Sequence, residues 1–258
     1  MTLLEARDIS ISFGGLKAVE GVDLFVNEGE IMTLIGPNGA GKTTAFNLIT
    51  GFLAPDRGTV SFRGRDVTGL PPHDIAALGL VRTFQKTNIF AETTVEHSIA
   101  IGFHTRLKAG LGSIVFGGAD ARAEAREVRE RAREILEFTG LAPWAAHLGK
   151  NLPYGKQRML SIALALAANP ALLLLDEPAT GLNPVETKEL IDIIYRIRDE
   201  RKITVFLIEH NMNLVISISD RIAVLNYGRK IAEGSPAQVS RDPAVIEAYL
   251  GRGFRHAS

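Results

Sequence analysis

The sequence predicts an α/β core interrupted by a helical insertion, on three observations. Short apolar runs at residues 172–175, 204–208 and 221–225 resemble strands buried on both faces of a parallel sheet. A glycine-rich loop, Gly36-Pro37-Asn38-Gly39-Ala40-Gly41-Lys42-Thr43-Thr44, stands between a strand-like run at 31–35 and a helix-like run at 45–49. Between these parts lies a charged stretch whose apolar residues recur at helical spacing.

Taken in order, residues 24–26, 31–35 and 60–62 read as strands, separated by turns such as Asn27-Glu28-Gly29 and Pro55-Asp56-Arg57-Gly58. From about residue 86 to 167 the pattern is helical. Ala121, Ala125, Val128, Ala132 and Ile135 share one face, while Arg122, Glu124, Arg126, Glu127, Arg129, Glu130, Arg131 and Arg133 occupy the others. Signs alternate within that charged face and Glu127–Arg131 is a favourable i,i+4 pair, so it reads as a solvated helix rather than a nucleic-acid arm. The glycine-rich residues 110–118 read as the loop that feeds it. Residues 185–198 form a helical pattern between two of the later strands. The organisation expected is a single domain, 1–258, with a core of 1–85 and 168–258 and a helical subdomain of 86–167.

Composition narrows the function. The 29 basic and 29 acidic residues of the 258 cancel, so no chain-wide attraction to nucleic acid or anionic lipid is expected. The absence of cysteine excludes disulfides, thiol catalysis and cysteine-ligated metals. The first residues have neither the basic nor the apolar region of a secretory leader, and none is expected. The most apolar segment, 160–175, is broken by Asn169 and Pro170 and is shorter than the ~20 residues a bilayer span needs. A membrane role would therefore come through a partner.

The strand–glycine loop–helix context at 36–44 is that of a P-loop. Its backbone N–H groups can face phosphate oxygens at the positive end of a helix dipole. Lys42 can reach the β- and γ-phosphates of a nucleoside triphosphate, and the Thr43 hydroxyl can join a Mg²⁺ shell. Asp176 and Glu177 follow the buried run 172–175, at the strand end where ligands of open α/β sheets gather. Asp176 suits Mg²⁺, and Glu177 is placed to polarise the attacking water. His210, just after the run 204–208, can bond the γ-phosphate and orient Glu177. The competing reading, an acidic strand end and a surface histidine, is weaker beside an intact P-loop. Gln85 could complete the Mg²⁺ shell and Phe13 could stack on adenine, though each is a common residue. His73, His97, His104, His147 and His256 have no such context.

The order P-loop, Gln85, Leu152-Pro153-Tyr154-Gly155-Lys156-Gln157, Asp176-Glu177-Pro178, Thr180-Gly181-Leu182-Asn183, His210 resembles the ATP-binding cassette (ABC) ATPase family over essentially the whole chain. Within it, Arg82-Thr83-Phe84-Gln85, residues 176–184, Leu207-Ile208-Glu209-His210-Asn211-Met212 and the tail 242–251 are similar to the ATP-binding subunits of branched-chain amino-acid importers. The resemblance implies an antiparallel β subdomain beside the P-loop core, with ATP and Mg²⁺ as cofactors. It implies a second cassette that completes each nucleotide site in trans, and transmembrane permease subunits served indirectly by a solute-binding protein. It also implies a cytoplasmic location on the inner face of the membrane and no nucleic-acid partner. The trans segment of the family is usually Leu-Ser-Gly-Gly-Gln; here it is Leu152, Pro153, Tyr154, Gly155, Lys156 and Gln157. Pro153 removes a hydroxyl and an N–H, worth ~1.5–3 kcal/mol if a charge-assisted bond is lost. Asn183 replaces the usual aspartate. With the chain's own nucleotide-facing set complete, these departures favour a heterodimer with a different cassette over a homodimer. Residues 86–90 fall where a permease helix would dock. The alternatives are a soluble cassette ATPase without a membrane partner, the ATPase of an exporter, or that of an importer for another solute.

Overall fold

The computed structural model describes residues 1–83, 91–103 and 119–250. The chain divides into two compact units. The first comprises Met1–Arg82, Ala171–Thr180 and Lys188–Ser258; the second comprises Thr83–Pro170 and Gly181–Thr187. The segment 181–187, placed with the core on sequence grounds, thus groups with the helical unit.

In the first unit, β1 (Thr2–Phe13) and β2 (Leu16–Asn27) form an antiparallel hairpin. With β4 (Arg57–Phe62) and β5 (Arg65–Asp66) they make a four-stranded antiparallel sheet ordered β2-β1-β4-β5. The sequence reading assigned no strand to 2–13. The alternation Leu4, Ala6 resumes out of phase at Ile9, Ile11, because a register shift at Asp8, with φ +50°, inserts an extra residue. A single period-2 template cannot span that bulge.

The second sheet has the order β10-β9-β3-β8-β7-β6. Its members are β3 (Ile31–Ile35), β6 (Leu80–Arg82), β7 (Leu172–Asp176), β8 (Thr204–Ile208), β9 (Arg221–Asn226) and β10 (Arg229–Gly234). The pairs from β9 to β6 are parallel, and β10 is antiparallel to β9. Every residue of β3, β7 and β8 is buried, which is why these strands read as unbroken apolar runs. Strand β6, three residues between Gly79 and Thr83, is too short to carry a period and was not assigned from sequence.

One side of this sheet joins the antiparallel sheet and α1 (Lys42–Ile49) in the main core, where Phe46 meets Phe206 at a ring separation of 4.8 Å. Ile35, Ile222 and Val224 belong to a smaller cluster with Val215, Val239 and Val245. Those last three residues come from α7 (Met212–Ile218), α8 (Pro236–Val239) and α9 (Pro243–Leu250).

In the second unit, α3 (Val95–Gly102), α4 (Ala119–Phe138) and α5 (Tyr154–Ala167) pack on one another. Ala132 and Ile135 are buried, and Glu127 pairs with Arg131 at 2.6 Å, as the helical spacing implies. Gly102 permits close approach: a Cβ there would lie 2.8 Å from that of Ala167. The other described helices are α2 (Pro72–Ala77), α6 (Pro184–Asp199) and two short 3₁₀ turns at Ala142–Trp144 and Gly149–Asn151. The expected loop at 110–118, Gln85 and the docking segment 86–90 lie outside the described residues.

Candidate functional site

Strands β3, β8 and β7 are parallel neighbours in the sheet, and the chain leaves their C-terminal ends at Gly36, Glu209 and Glu177. After β3 the chain turns through residues 36–41 into α1, with Gly36, Gly39 and Gly41 at positive φ of 154°, 81° and 98°. Side chains are excluded there for two reasons. A Cβ at Gly36 or Gly41 would collide with the carbonyl oxygen of Leu225 or Ala18, and Gly39 holds a left-handed backbone over open space. Helix α1 has Gly41 as N-cap, no side-chain cap and no acidic residue in its first turn, so its N-terminal field is left for an anion.

Lys42 opens that helix. It is 6% exposed, and its ammonium donates to the Gly36 carbonyl at 2.8 Å and the Pro37 carbonyl at 3.1 Å. Burial lowers its pKa below the ordinary lysine value, against the opposing pull of the Glu177 and Asp176 carboxylates. Thr43 is exposed, so its hydroxyl is accessible to solvent. A cavity of ≈ 500 Å³ runs along this turn, lined by Asn38, Lys42, Thr43 and Glu177 and flanked by Leu16 and Tyr227. Gly39, Ala40, Gly41 and Thr44 also line it, whereas Pro37 borders a neighbouring cavity that reaches Glu247 on α9.

Asp176 ends β7, only 3% exposed. Its Oδ2 accepts from Arg82 at 2.6 Å, and Arg82 in turn donates to Asn47 Oδ1 at 2.7 Å on α1 and to Thr50 Oγ1 at 3.4 Å at the C-cap of that helix. Asp176 Oδ1 is buried with no hydrogen-bond partner. Asp176 does not line the cavity, but its charge acts on Lys42, the residue before Thr43; an orphaned carboxylate oxygen and an exposed threonine hydroxyl are hard oxygen donors of the kind that suits Mg²⁺.

Glu177 adopts φ +45°, unusual for a non-glycine residue and more so ahead of Pro178. The bend is held by Glu177 N–H donating to the Ile208 carbonyl at 3.0 Å and Thr180 N–H donating to the Glu177 carbonyl at 3.2 Å. It brings the Glu177 carboxylate to the cavity wall, with Oε2 3.8 Å from His210 Nδ1. His210 is half exposed. Sequence reasoning passed over Glu209, which is fully buried, accepts from Ala179 N–H at 2.9 Å, and has no distinguishing sequence signal beyond its place at a strand end. Phe13 is exposed at the end of β1 and is not among the cavity-lining residues.

The residues expected to act in trans lie in the second unit. Leu152 is buried, and Pro153 is the N-cap of α5, supplying no side-chain cap. Gln157 donates to the Leu152 carbonyl at 2.9 Å. Tyr154 packs over Gly181, where a Cβ would sit 2.8 Å from the ring, and Arg158 stacks on Tyr154 and donates to its hydroxyl at 3.0 Å. Gly155 faces the Glu186 carboxylate, and Lys156 is partly exposed. Asn183 accepts from Val185 N–H at 2.9 Å and Glu186 N–H at 3.0 Å, while Glu186 Oε2 accepts from Asn183 N–H at 3.0 Å. This reciprocal cap fits asparagine well.

Residues 19–180 match the ABC transporter family model, and residues 229–255 match the model of the branched-chain amino acid ATP-binding cassette transporter. The high-affinity branched-chain amino acid transport ATP-binding protein LivG of Escherichia coli K12 is 47% identical over 249 residues, 96% of this chain and 98% of LivG. BraF of Pseudomonas aeruginosa, which carries the same description, is 45% identical over the same shares. A nucleotide-free ATP-binding cassette from an ABC transporter superposes with a TM-score of 0.85 at 34% identity, covering 97% of this chain and all of that one. The ADP conformation of such a cassette matches with the same score at 33% identity, covering 97% and 99%.

Proposed function

This chain belongs to the ABC transporter family, and on that premise we propose that it is the ATP-hydrolysing subunit of a branched-chain amino-acid importer. The observation that carries the solute class is the second family match, at 229–255, outside the nucleotide-binding residues. A cassette's generic chemistry would not require it.

The geometry supports a division of labour. The turn 36–44 and Lys42 bind the triphosphate, which would compete with the Gly36 and Pro37 carbonyls for the ammonium. Thr43 and Asp176 Oδ1 would hold Mg²⁺ together with Gln85, and the ion would neutralise charge developing on the β- and γ-phosphates. Glu177 takes a proton from water as that water's oxygen bonds to the γ-phosphorus and the bridging P–O bond breaks, releasing ADP and phosphate. His210 holds the Glu177 carboxylate and the γ-phosphate in line. Phe13 is assigned to the adenine face from the family pattern.

The trans face is read as serving a second cassette. Because Pro153 and Asn183 depart from the family pattern while Lys42, Thr43, Asp176, Glu177 and His210 are all in place, a heterodimer is the better reading. No described helix is long and apolar enough to cross a membrane. By its family likeness we assign the chain to the cytoplasmic face, docked to transmembrane permease subunits that receive solute from a binding protein.

The test is reconstitution of the chain in vesicles with the membrane proteins that co-purify with it. ATP-dependent accumulation of labelled leucine, isoleucine or valine, lost with Glu177→Gln, is expected. Accumulation of urea or an aromatic acid in their place would reassign the solute, and ATP-driven efflux would reverse the direction.

A further inference from the structure

We infer that Glu209 is a positioning residue for hydrolysis: its buried carboxylate bridges the loop after β7 to the loop after β8, setting the separation of Glu177 and His210. The inference rests on the ATPase reading above and adds a residue to it.

The two strands leave the sheet together. Asp176 pairs with Ile208, the last residues of β7 and β8, and one more bond follows, from Glu177 N–H to the Ile208 carbonyl at 3.0 Å. Beyond that point the chains diverge, and no ladder fixes their relation. Glu209 fills the gap. Its Oε1 accepts from Ala179 N–H at 2.9 Å on one loop, and its Oε2 accepts from His210 N–H at 3.1 Å on the other. Its own N–H donates to the Leu34 carbonyl at 3.3 Å, so the same residue is anchored to the end of β3, where the turn 36–41 begins. The loop that carries Glu177, the loop that carries His210 and the strand that leads into the turn 36–41 are thereby tied at one point.

Burying a carboxylate is costly unless hydrogen bonds compensate it. Glu209 is fully buried, and its only hydrogen bonds among the described residues are to backbone groups. A hydroxyl at this position could accept one of those N–H bonds; spanning both loops takes a two-oxygen acceptor on an extended stem. The strained Glu177 backbone, at φ +45°, lies two residues from the Ala179 anchor and needs such a restraint to persist.

The experiment uses Glu209→Gln and Glu209→Ala in the full chain, assembled with its co-purifying subunits. Glutamine keeps the shape but can accept only one of the two N–H bonds. Its turnover should fall about tenfold with an unchanged KM for ATP, and alanine's further. In a His210→Ala background the glutamine substitution should add little, because the geometry it protects is already lost. Unchanged turnover in Glu209→Gln would overturn the inference. So would a loss of equal size in the His210→Ala background, or a parallel loss of ATP binding and melting temperature that marks Glu209 as a fold residue. An assembly whose unaltered chain hydrolyses no ATP would instead overturn the ATPase reading itself.

Discussion

At Gly39, in the turn 36–41, glycine is required by the path of the backbone, whereas at Gly155, in the turn that opens α5, it is required by a neighbouring side chain. Gly39 has φ +81° and no atom within 4 Å of where a Cβ would be. Gly155 has no such unusual backbone angle, and the Glu186 carboxylate occupies the space a side chain would need. The first turn therefore keeps an open concave face, and the second is filled by the chain's own residues 181–187. This difference suggests that the nucleotide-binding turn is shaped for a ligand. The other turn is locked to a segment of the same unit and presents that segment and the start of α5 together.

The sharpest test of the open turn is chemical. Lys42→Ala should abolish measurable ATP binding by a fluorescent analogue, while Glu177→Gln should retain binding and lower turnover by about 100- to 10,000-fold. Retained turnover in Glu177→Gln would leave the proposed base without a role. Lys42 adds a pH signature. Its pKa is lowered by burial, so the ammonium loses its proton at a lower pH than an ordinary lysine, and phosphate binds the protonated form. ATP affinity should therefore decline as pH rises, beginning below the usual lysine range. Isothermal titration across alkaline pH should show proton uptake on binding; Lys42→Arg, which stays charged, should show neither effect.

The comparison breaks or holds on the glycines themselves. Gly155→Ala should destabilise by about 1–3 kcal/mol despite alanine's better helix propensity, because the methyl meets Glu186. Adding Glu186→Ala should recover most of that loss in thermal unfolding. Gly39→Ala should cost about 1–2 kcal/mol from its left-handed backbone. No truncation of a neighbour should restore it, since there is no neighbour to remove. If Glu186→Ala fails to rescue Gly155→Ala, the two turns do not differ in the way described.

What the sequence made legible follows the same line. The glycine turn, the buried strands and the acids at the end of β7 are local patterns, and each reads directly from adjacent residues. The pairing of Gly155 with Glu186, of Arg82 with Asp176 and of Glu209 with Ala179 spans about 30 or more residues and has no period to detect. Strand β1 was missed because the bulge at Asp8 shifts its alternation, and β6 because three residues are too few. Phe13 shows the opposite limit. Its family position argues for an adenine contact, yet the described cavity is flanked by Leu16 and Tyr227. Local chemistry was readable; the contacts that hold it in register were not.

The smallest expected effect concerns Asn183, which replaces the family's usual aspartate. Its side chain accepts from two N–H groups of the first turn of α6, so Asn183→Ala should cost about 1 kcal/mol and lower the melting temperature by roughly 2–4 °C. Asn183→Asp keeps the acceptor and adds charge favourable to the helix dipole, but places it near Glu186, whose carboxylate already accepts from Asn183 N–H. These opposing terms should leave stability within about 0.5 kcal/mol of the parent. If capping is all that Asn183 does, ATP turnover of the assembled subunits should be the same with aspartate as with asparagine. A rise in turnover with aspartate would show that the substitution restrains hydrolysis across the subunit interface, making the asymmetry between this chain and its partner cassette catalytic as well as structural.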